Sequence, residues 1–260
     1  VTRYDTPLKP YLSSPVFTCR PQDSLVRVER RLAEVGISSL AVVDGDDHLV
    51  GVISRTDLLR VGRREADRDV GATLLALPDR TVADEMTREP VTVDLDATVA
   101  EAAAAMNRRD LHRLFVVRDG ILVGVLSTRD VMKAIRDRRD PRRIADHMSK
   151  PLLTVAATDP ISLATERLAR ARVTGLVVLE DDWPVGVFTQ REALASRDLA
   201  AEVAVDDVMN TAFICLSAPT PLRRAAEQAV AMRVRRVIVV ERRAPVGILT
   251  GLDFARATHD

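Results

Sequence analysis

Apolar positions along the chain follow two different periods, and the two alternate. Leu25, Val28, Leu32 and Val35 recur at spacings of three and four, which is one face of a helix. Val99, Ala102, Ala103 and Met106 do the same, with alanines that favour helix. Four other runs are continuous and Val-rich: Leu40–Val43, Leu114–Val117, Leu176–Leu179 and Val237–Val240. These predict buried strands. A turn follows each, then a second apolar stretch ending at a hydroxyl residue, then a helix such as Asp130–Ile135. Asp23, Asp96 and Asp159 precede the first helices as candidate caps, in competition with Ser24 and Thr98.

This alternation occurs four times. Gly-Val-Ile-Ser-Arg-Thr-Asp at 51–57, Gly-Val-Leu-Ser-Thr-Arg-Asp at 124–130, Gly-Val-Phe-Thr-Gln-Arg-Glu at 186–192 and Gly-Ile-Leu-Thr-Gly-Leu-Asp at 247–253 share one pattern. It reads Gly, two apolar residues, a hydroxyl residue, two variable positions and a carboxylate. A short strand carrying Thr18, Thr92, Thr154 or Cys215 stands 39, 38, 38 and 38 residues before these carboxylates. Each repeat is therefore strand, helix, strand, strand, helix, about 50–60 residues long and of α/β (α+β) class. One repeat alone would leave an apolar sheet face in water, so pairs are the expected domains. The repeats are expected at about 12–62, 82–138, 144–199 and 205–260, with a first pair in 1–138 and a second in 139–260. Val82–Met86, Ile144–Met148 and Val205–Met209 mix apolar and acidic residues, end in Met and predict linker turns. The first repeat has Pro7–Tyr11 in that place, as an incoming chain end that needs no link. The longest connection, Val61–Arg80, is polar around Leu74–Leu77 and reads as a loop or irregular helix, or as a partner-docking element.

Composition narrows the function classes. With 260 residues, 47% of them apolar, the chain can build a conventional core without metal or disulfide staples. The 38 Lys and Arg balance 38 Asp and Glu, so no bulk attraction to nucleic acid or an anionic membrane is expected. Aromatics at 3% leave no stacking platform for single strands. Two cysteines, Cys19 and Cys215, both in strand-like segments, fit buried thiols in a reducing, cytoplasmic setting. No run approaches a membrane span, and Val1–Lys9 lacks a signal-peptide pattern. The absent initiator Met reads as trimming or processing. The four His lack metal-ligand spacing, and Cys-x-x-Cys, dinucleotide, Walker and nucleophile-elbow motifs are missing. Because the carboxylates repeat symmetrically, whereas catalysis needs one asymmetric constellation, the chain is expected not to be an enzyme.

The succession Met-Thr-x-x-Pro-Val-Thr-Val (Met86–Val93), His-Arg-Leu-Phe-Val-Val (His112–Val117) and Gly-Val-Leu-Ser-Thr-Arg-Asp (Gly124–Asp130) closely resembles the cystathionine-β-synthase (CBS) domain family. The resemblance covers essentially the whole chain in four copies. Its layout is similar to two tandem-pair, or Bateman, modules, as in the gamma subunit of AMP-activated kinase. It implies pseudo-twofold pairs with two clefts each, modules that assemble within or between chains into a flat disk, and AMP, ADP or ATP as regulatory ligand. Other members bind S-adenosylmethionine or related ligands, and some bind no nucleotide and serve as docking or dimerisation elements.

Site residues follow position by position. Asp57, Asp130 and Asp253 would accept hydrogen bonds from ribose hydroxyls, or would simply cap the helices they begin. Glu192 stands in their place in the third repeat with one more methylene, so that cleft is expected to be the weakest. Ser54, Ser127, Thr189 and Thr250 would hold a phosphate oxygen, or cap the same helix starts. Thr18, Thr92 and Thr154 would line the adenine, with Cys215 in the fourth repeat a weaker donor. Before the Val-rich strands the chain reads Ser38-Ser39, His112-Arg113, Thr174-Gly175 and Arg235-Arg236. Arg113 and Arg236 are the expected phosphate ligands, with His112 and Arg235 secondary, against a reading as solvated surface charge. The even-numbered repeats alone carry these cations, so unequal clefts are expected. Rival classes are a structural or partner-binding module without nucleotide, a binder of S-adenosylmethionine or NAD, and a nucleic-acid binder. The last would use the six basic residues of Lys133–Arg143, which read more simply as a solvated linker or a contact for an acidic partner. Any output needs self-association or an effector protein outside these 260 residues.

Overall fold

A computed structural model describes residues 3–66, 77–242 and 244–259. Most of the polar connection after Val61, including Leu74, lies outside the described residues. The first repeat consists of β1 (Thr18–Cys19), α1 (Leu25–Val35), β2 (Ser39–Val43), β3 (Leu49–Ser54) and α2 (Arg55–Ala66). A linker turn with α3 (Val82–Glu85) and β4 (Thr87–Arg88) leads to the second, with β5 (Thr92–Asp94), α4 (Val99–Arg109), β6 (Arg113–Arg118), β7 (Ile121–Ser127) and α5 (Thr128–Asp137). The third holds β8 (Thr154–Ala156), α6 (Ile161–Arg170), β9 (Gly175–Glu180), β10 (Trp183–Thr189) and α7 (Gln190–Ala195). The fourth holds β11 (Ile214–Ser217), α8 (Leu222–Ala231), β12 (Arg236–Glu241), β13 (Ala244–Thr250) and α9 (Gly251–Arg256).

Each sheet shares one three-strand plan, to which β4 adds a fourth strand antiparallel to β3 in the first. The first strand runs parallel to the second, and the second antiparallel to the third. A parallel step needs a crossover, which the first helix supplies. The competition for helix caps is won by the hydroxyls where they exist. Ser24 accepts from the Arg27 N–H and Thr98 from the Glu101 N–H, while Asp23 and Asp159 bind N–H groups of the preceding turns. Pro160 and Pro221 begin α6 and α8 without any side-chain cap.

The chain forms two compact units. Unit 1 comprises Val1–Val16, Val91–Leu152 and Ala212–Asp260, and unit 2 comprises Phe17–Pro90 and Leu153–Thr211. The second and fourth repeats thus share one core, and the first and third share the other. In unit 1, α5 packs against α8 and α9, with Val131, Met132 and Ile135 fully buried. In unit 2, α2 packs against α7. These units cut across the expected division into 1–138 and 139–260, because each draws one repeat from either half. Periodicity predicts that a helix face is buried but does not say which other repeat buries it.

The linkers show a second relation. The segment before the second repeat packs on the first, where Val82 N–H donates to Asp23 O and Leu25 N–H to Arg80 O. The segment before the first packs on the second, where Val99 N–H donates to Thr6 O and Ala100 N–H to Tyr4 O. The third and fourth repeats exchange linkers likewise, through Ile144 N–H to Thr220 O and Val205 N–H to Asp159 O. A helix start has orphan N–H groups, and these carbonyls satisfy them. The motif glycine is the seat of each linker. A Cβ on Gly51 or Gly247 would lie 2.7 Å from the sulfur of Met86 or Met148, and Gly186 faces Met209 in the same way. Gly124 faces Leu12 instead, so the chain start fills the same role although it carries no Met there. Tyr4 and Leu8 are buried with it, and the Tyr4 hydroxyl donates to Asp140 at 2.6 Å.

Candidate ligand site

Strand register gathers the predicted residues of each repeat. In the second repeat, Thr92 pairs with Phe115, and Arg113 pairs with Ser127. Paired residues point to one face, and so do residues two apart on a strand. Thr92, Arg113 and Ser127 therefore share a face, while Leu114, Val116 and Leu126 enter the core behind it. The same register joins Cys215, Arg236 and Thr250 in the fourth repeat. It joins Thr18, Ser39 and Ser54 in the first, and Thr154, Gly175 and Thr189 in the third.

The hydroxyl and carboxylate at each strand-to-helix corner are bonded to each other. Asp130 Oδ2 accepts from the Ser127 N–H at 2.8 Å and the Ser127 hydroxyl at 2.7 Å. Asp57 holds Ser54 at 2.9 and 2.6 Å, and Asp253 holds Thr250 at 2.7 and 2.6 Å. Glu192 reaches the Thr189 N–H at 3.1 Å and also its hydroxyl, so the longer side chain still closes the corner. All four carboxylates are buried. Capping is thus realised in every repeat. The remaining oxygen takes a cation one turn on: Arg60 at 3.1 Å from Asp57, Lys133 at 2.7 Å from Asp130, and Arg256 on Asp253, which also accepts from the Ser149 hydroxyl at 2.6 Å. The third repeat has Ala195 at that position. These cations are the residues that motif reading missed, although carboxylate-x-x-cation is visible in three of four repeats.

The cations before the middle strands come together in unit 1. His112 is half-buried, and its desolvation together with the neighbouring Arg236, Arg235 and Arg113 guanidiniums lowers its pKa to about 4. Three guanidiniums around one imidazole make this a positive locus. Nearby, α5 begins with Thr128, whose buried hydroxyl has no hydrogen-bond partner. Unit 2 has Ser38, Ser39, Thr174 and Gly175 at the equivalent positions. Arg55 of that unit is half-buried, with its pKa lowered by desolvation and by Arg191. Cys19 is buried as a free thiol, and burial pushes it to about 12, so it packs rather than reacts. His48 meets Asp44 and Asp46 in an exposed turn, a grouping that spacing did not predict. Asp44 Oδ1 there accepts the N–H groups of Asp46 and His48 at 3.0 and 2.9 Å, a turn-closing role.

The CBS domain family model matches residues 8–64, 82–137, 144–197 and 205–260. The chain belongs to the CBS domain family. Its four CBS repeats are arranged as two paired modules. The protein MJ1225 from Methanocaldococcus jannaschii, described as a proposed archaeal homologue of g-AMPK, has the same fold, with a TM-score of 0.82. It is 18% identical, over 97% of this chain and 99% of that one. An uncharacterised 33.4 kDa protein from Thermofilum pendens is 26% identical over 74% of this chain and 65% of its own length. Inosine-5'-monophosphate dehydrogenase of Mycobacterium tuberculosis is 33% identical over 45% of this chain, which spans 20% of that enzyme. Among the described residues no helix is long and apolar enough to cross a membrane. Of the sequence-predicted CBS site, register joins strand residue, hydroxyl and pre-strand residue in each repeat, and unit 1 adds the clustering of His112 with Arg113, Arg235 and Arg236.

Proposed function

We propose that this CBS protein is a sensor of adenine nucleotides, AMP, ADP or ATP, and that unit 1 supplies its phosphate-binding charge. The observation that carries this reading is the gathering of His112, Arg113, Arg235 and Arg236 at one locus of unit 1, ahead of two buried middle strands. Like charges gathered at one locus repel one another, and a bound anion relieves that repulsion. Arg113 and Arg236 would hold phosphate oxygens, with His112 and Arg235 behind them. Asp57, Asp130 and Asp253 would exchange their cation for ribose hydroxyls, and the first-strand Thr18, Thr92, Thr154 and Cys215 would flank adenine. Glu192, whose repeat has Thr174 and Gly175 where the even-numbered repeats carry cations, would give the weakest site. The reciprocal linkers support modules of consecutive repeats, within 1–138 and 139–260, and the two free cysteines support a cytoplasmic setting. Ligand would shift an existing conformational equilibrium that an effector protein reads.

Calorimetric titration and thermal shift with AMP, ADP, ATP, NAD and S-adenosylmethionine test the reading. An adenine nucleotide raises the melting midpoint, and Arg113→Ala with Arg236→Ala weakens it roughly tenfold or more. Silence from every ligand at millimolar concentration would favour a docking module instead. That second reading draws on one observation, the carboxylates already closed on their own helices.

A further inference from the structure

An open groove of about 660 Å³ in unit 1 is lined by Arg136, Asp137 and Arg139 at the end of α5 and by Arg223, Arg224 and Glu227 at the start of α8. Four guanidiniums face two carboxylates. Arg136 pairs with Asp137 at 2.8 Å and Arg224 with Glu227 at 3.2 Å. Among the described residues, the side chains of Arg139 and Arg223 have no ion-pair or hydrogen-bond partner. Two uncompensated cations therefore remain in a chain whose overall charge is zero.

The start of α8 is also wrong for a helix that only has to fold. Cations in a first turn oppose the helix dipole, where acids would be favourable. Arg223 and Arg224 occupy the second and third positions of α8, behind Pro221, which offers no side-chain cap. The equivalent pairs are Val26-Arg27, Ala100-Glu101 and Ser162-Leu163, so no other repeat places two cations there. A feature required by the fold would recur, and this one does not. Local rules broken once, beside a cavity, point to function. The first N–H groups of α8 are already donated to Arg142, Asp140 and Pro221 carbonyls, which leaves recognition to the guanidinium forks.

We propose that this groove binds an acidic peptide segment of a partner protein, with one carboxylate on Arg139 and another on Arg223. Arginine forks take carboxylates in bidentate fashion. Asp137 and Glu227 interrupt the positive lining, so a continuous phosphodiester backbone would meet like charge, whereas acidic side chains spaced by neutral residues would not. The site is separate from the proposed nucleotide contacts, and its test does not depend on them.

A fluorescein-labelled dodecapeptide of alternating Glu and Ser, followed by anisotropy at low ionic strength, is the probe. Arg139→Glu with Arg223→Glu should weaken it roughly tenfold or more, with Arg139→Gln and Arg223→Gln as the milder check on folding. Arg108→Glu with Arg109→Glu, at the exposed end of α4, should leave affinity within about twofold. Arg223→Glu alone should melt no lower than the parent, because an acid suits that turn. Equal loss in both reversed pairs, or none in the groove pair, overturns the proposal. So does an oligothymidylate of equal charge that binds more tightly than the peptide and is lost with the groove arginines.

Discussion

Oδ2 of Asp130 closes a capping box on Ser127 while Oδ1 holds Lys133, so the carboxylate a ribose would need is already committed to folding. A hydroxyl three residues before a carboxylate is the spacing of a capping box as well as of a ligand corner. That is why the sequence made these residues visible but could not separate their two roles. Because Asp130 closes the cap, Asp130→Ala should cost about 1 kcal/mol in denaturant unfolding. A variant as stable as the parent would remove Asp130 from the cap. His112 gives a second test at this scale. Its folded pKa, about 4, lies below the ordinary 6.5, so the unfolded chain binds the proton more readily. His112 adds no pH dependence above about pH 6.5, and its charging destabilises the fold progressively as pH falls towards 4. On the order of 2–3 kcal/mol is lost across that window. His112→Gln should flatten the slope between pH 6.5 and 4 in equilibrium unfolding. Equal slopes in variant and parent would place the imidazole away from the three arginines.

Helices and strands were legible because their apolar periods differ, and the repeat multiplied each signal four times. What joins one element to another was only half legible. The motif glycines and the linker methionines were both visible, yet nothing local says that Met148 seats on Gly247, about a hundred residues away and in a different repeat. Likewise Pro160 and Pro221 lack caps because carbonyls of remote linkers satisfy those helix starts. The contact of α5 with α9 offers a direct test. A Cβ on Gly251 would lie 2.8 Å from Thr128 Cβ, closer than real side chains approach. Gly251→Ala should cost about 1–3 kcal/mol by overpacking. Thr128→Ala removes the hydroxyl that this Cβ would meet first, a buried group without a partner, so alone it should be nearly neutral. Ala keeps the Cβ of Thr128, so the double variant should recover part of the loss, a coupling that a double-mutant cycle reads as roughly 0.5 kcal/mol or more. Strict additivity would mean that these helix starts do not touch.

At the scale of the molecule, four similar repeats pose a choice that no single repeat can encode. Any first helix could meet any last helix, and only the folded chain shows the second repeat sharing its core with the fourth and the first with the third. Covalent order and linker exchange tie neighbours in sequence, whereas helix packing ties alternate repeats. A fragment of residues 1–138 would keep the first relation and lose the second. It would expose Val131, Met132, Ala134 and Ile135 of α5, all at most 1% exposed in the intact chain. An apolar helix face of this size does not stay in water. The second repeat resembles the fourth, so a second copy of the fragment can offer it a similar partner, and a twofold contact closes the assembly. The replacement is imperfect, since Thr128 would face another Thr128 where Gly251 now makes room. The fragment should therefore sediment as a dimer with a concentration-dependent melting midpoint below that of the whole chain. A monomer that melts with the intact protein would show that the helix faces contribute little, and that the consecutive pair is by itself the folding unit.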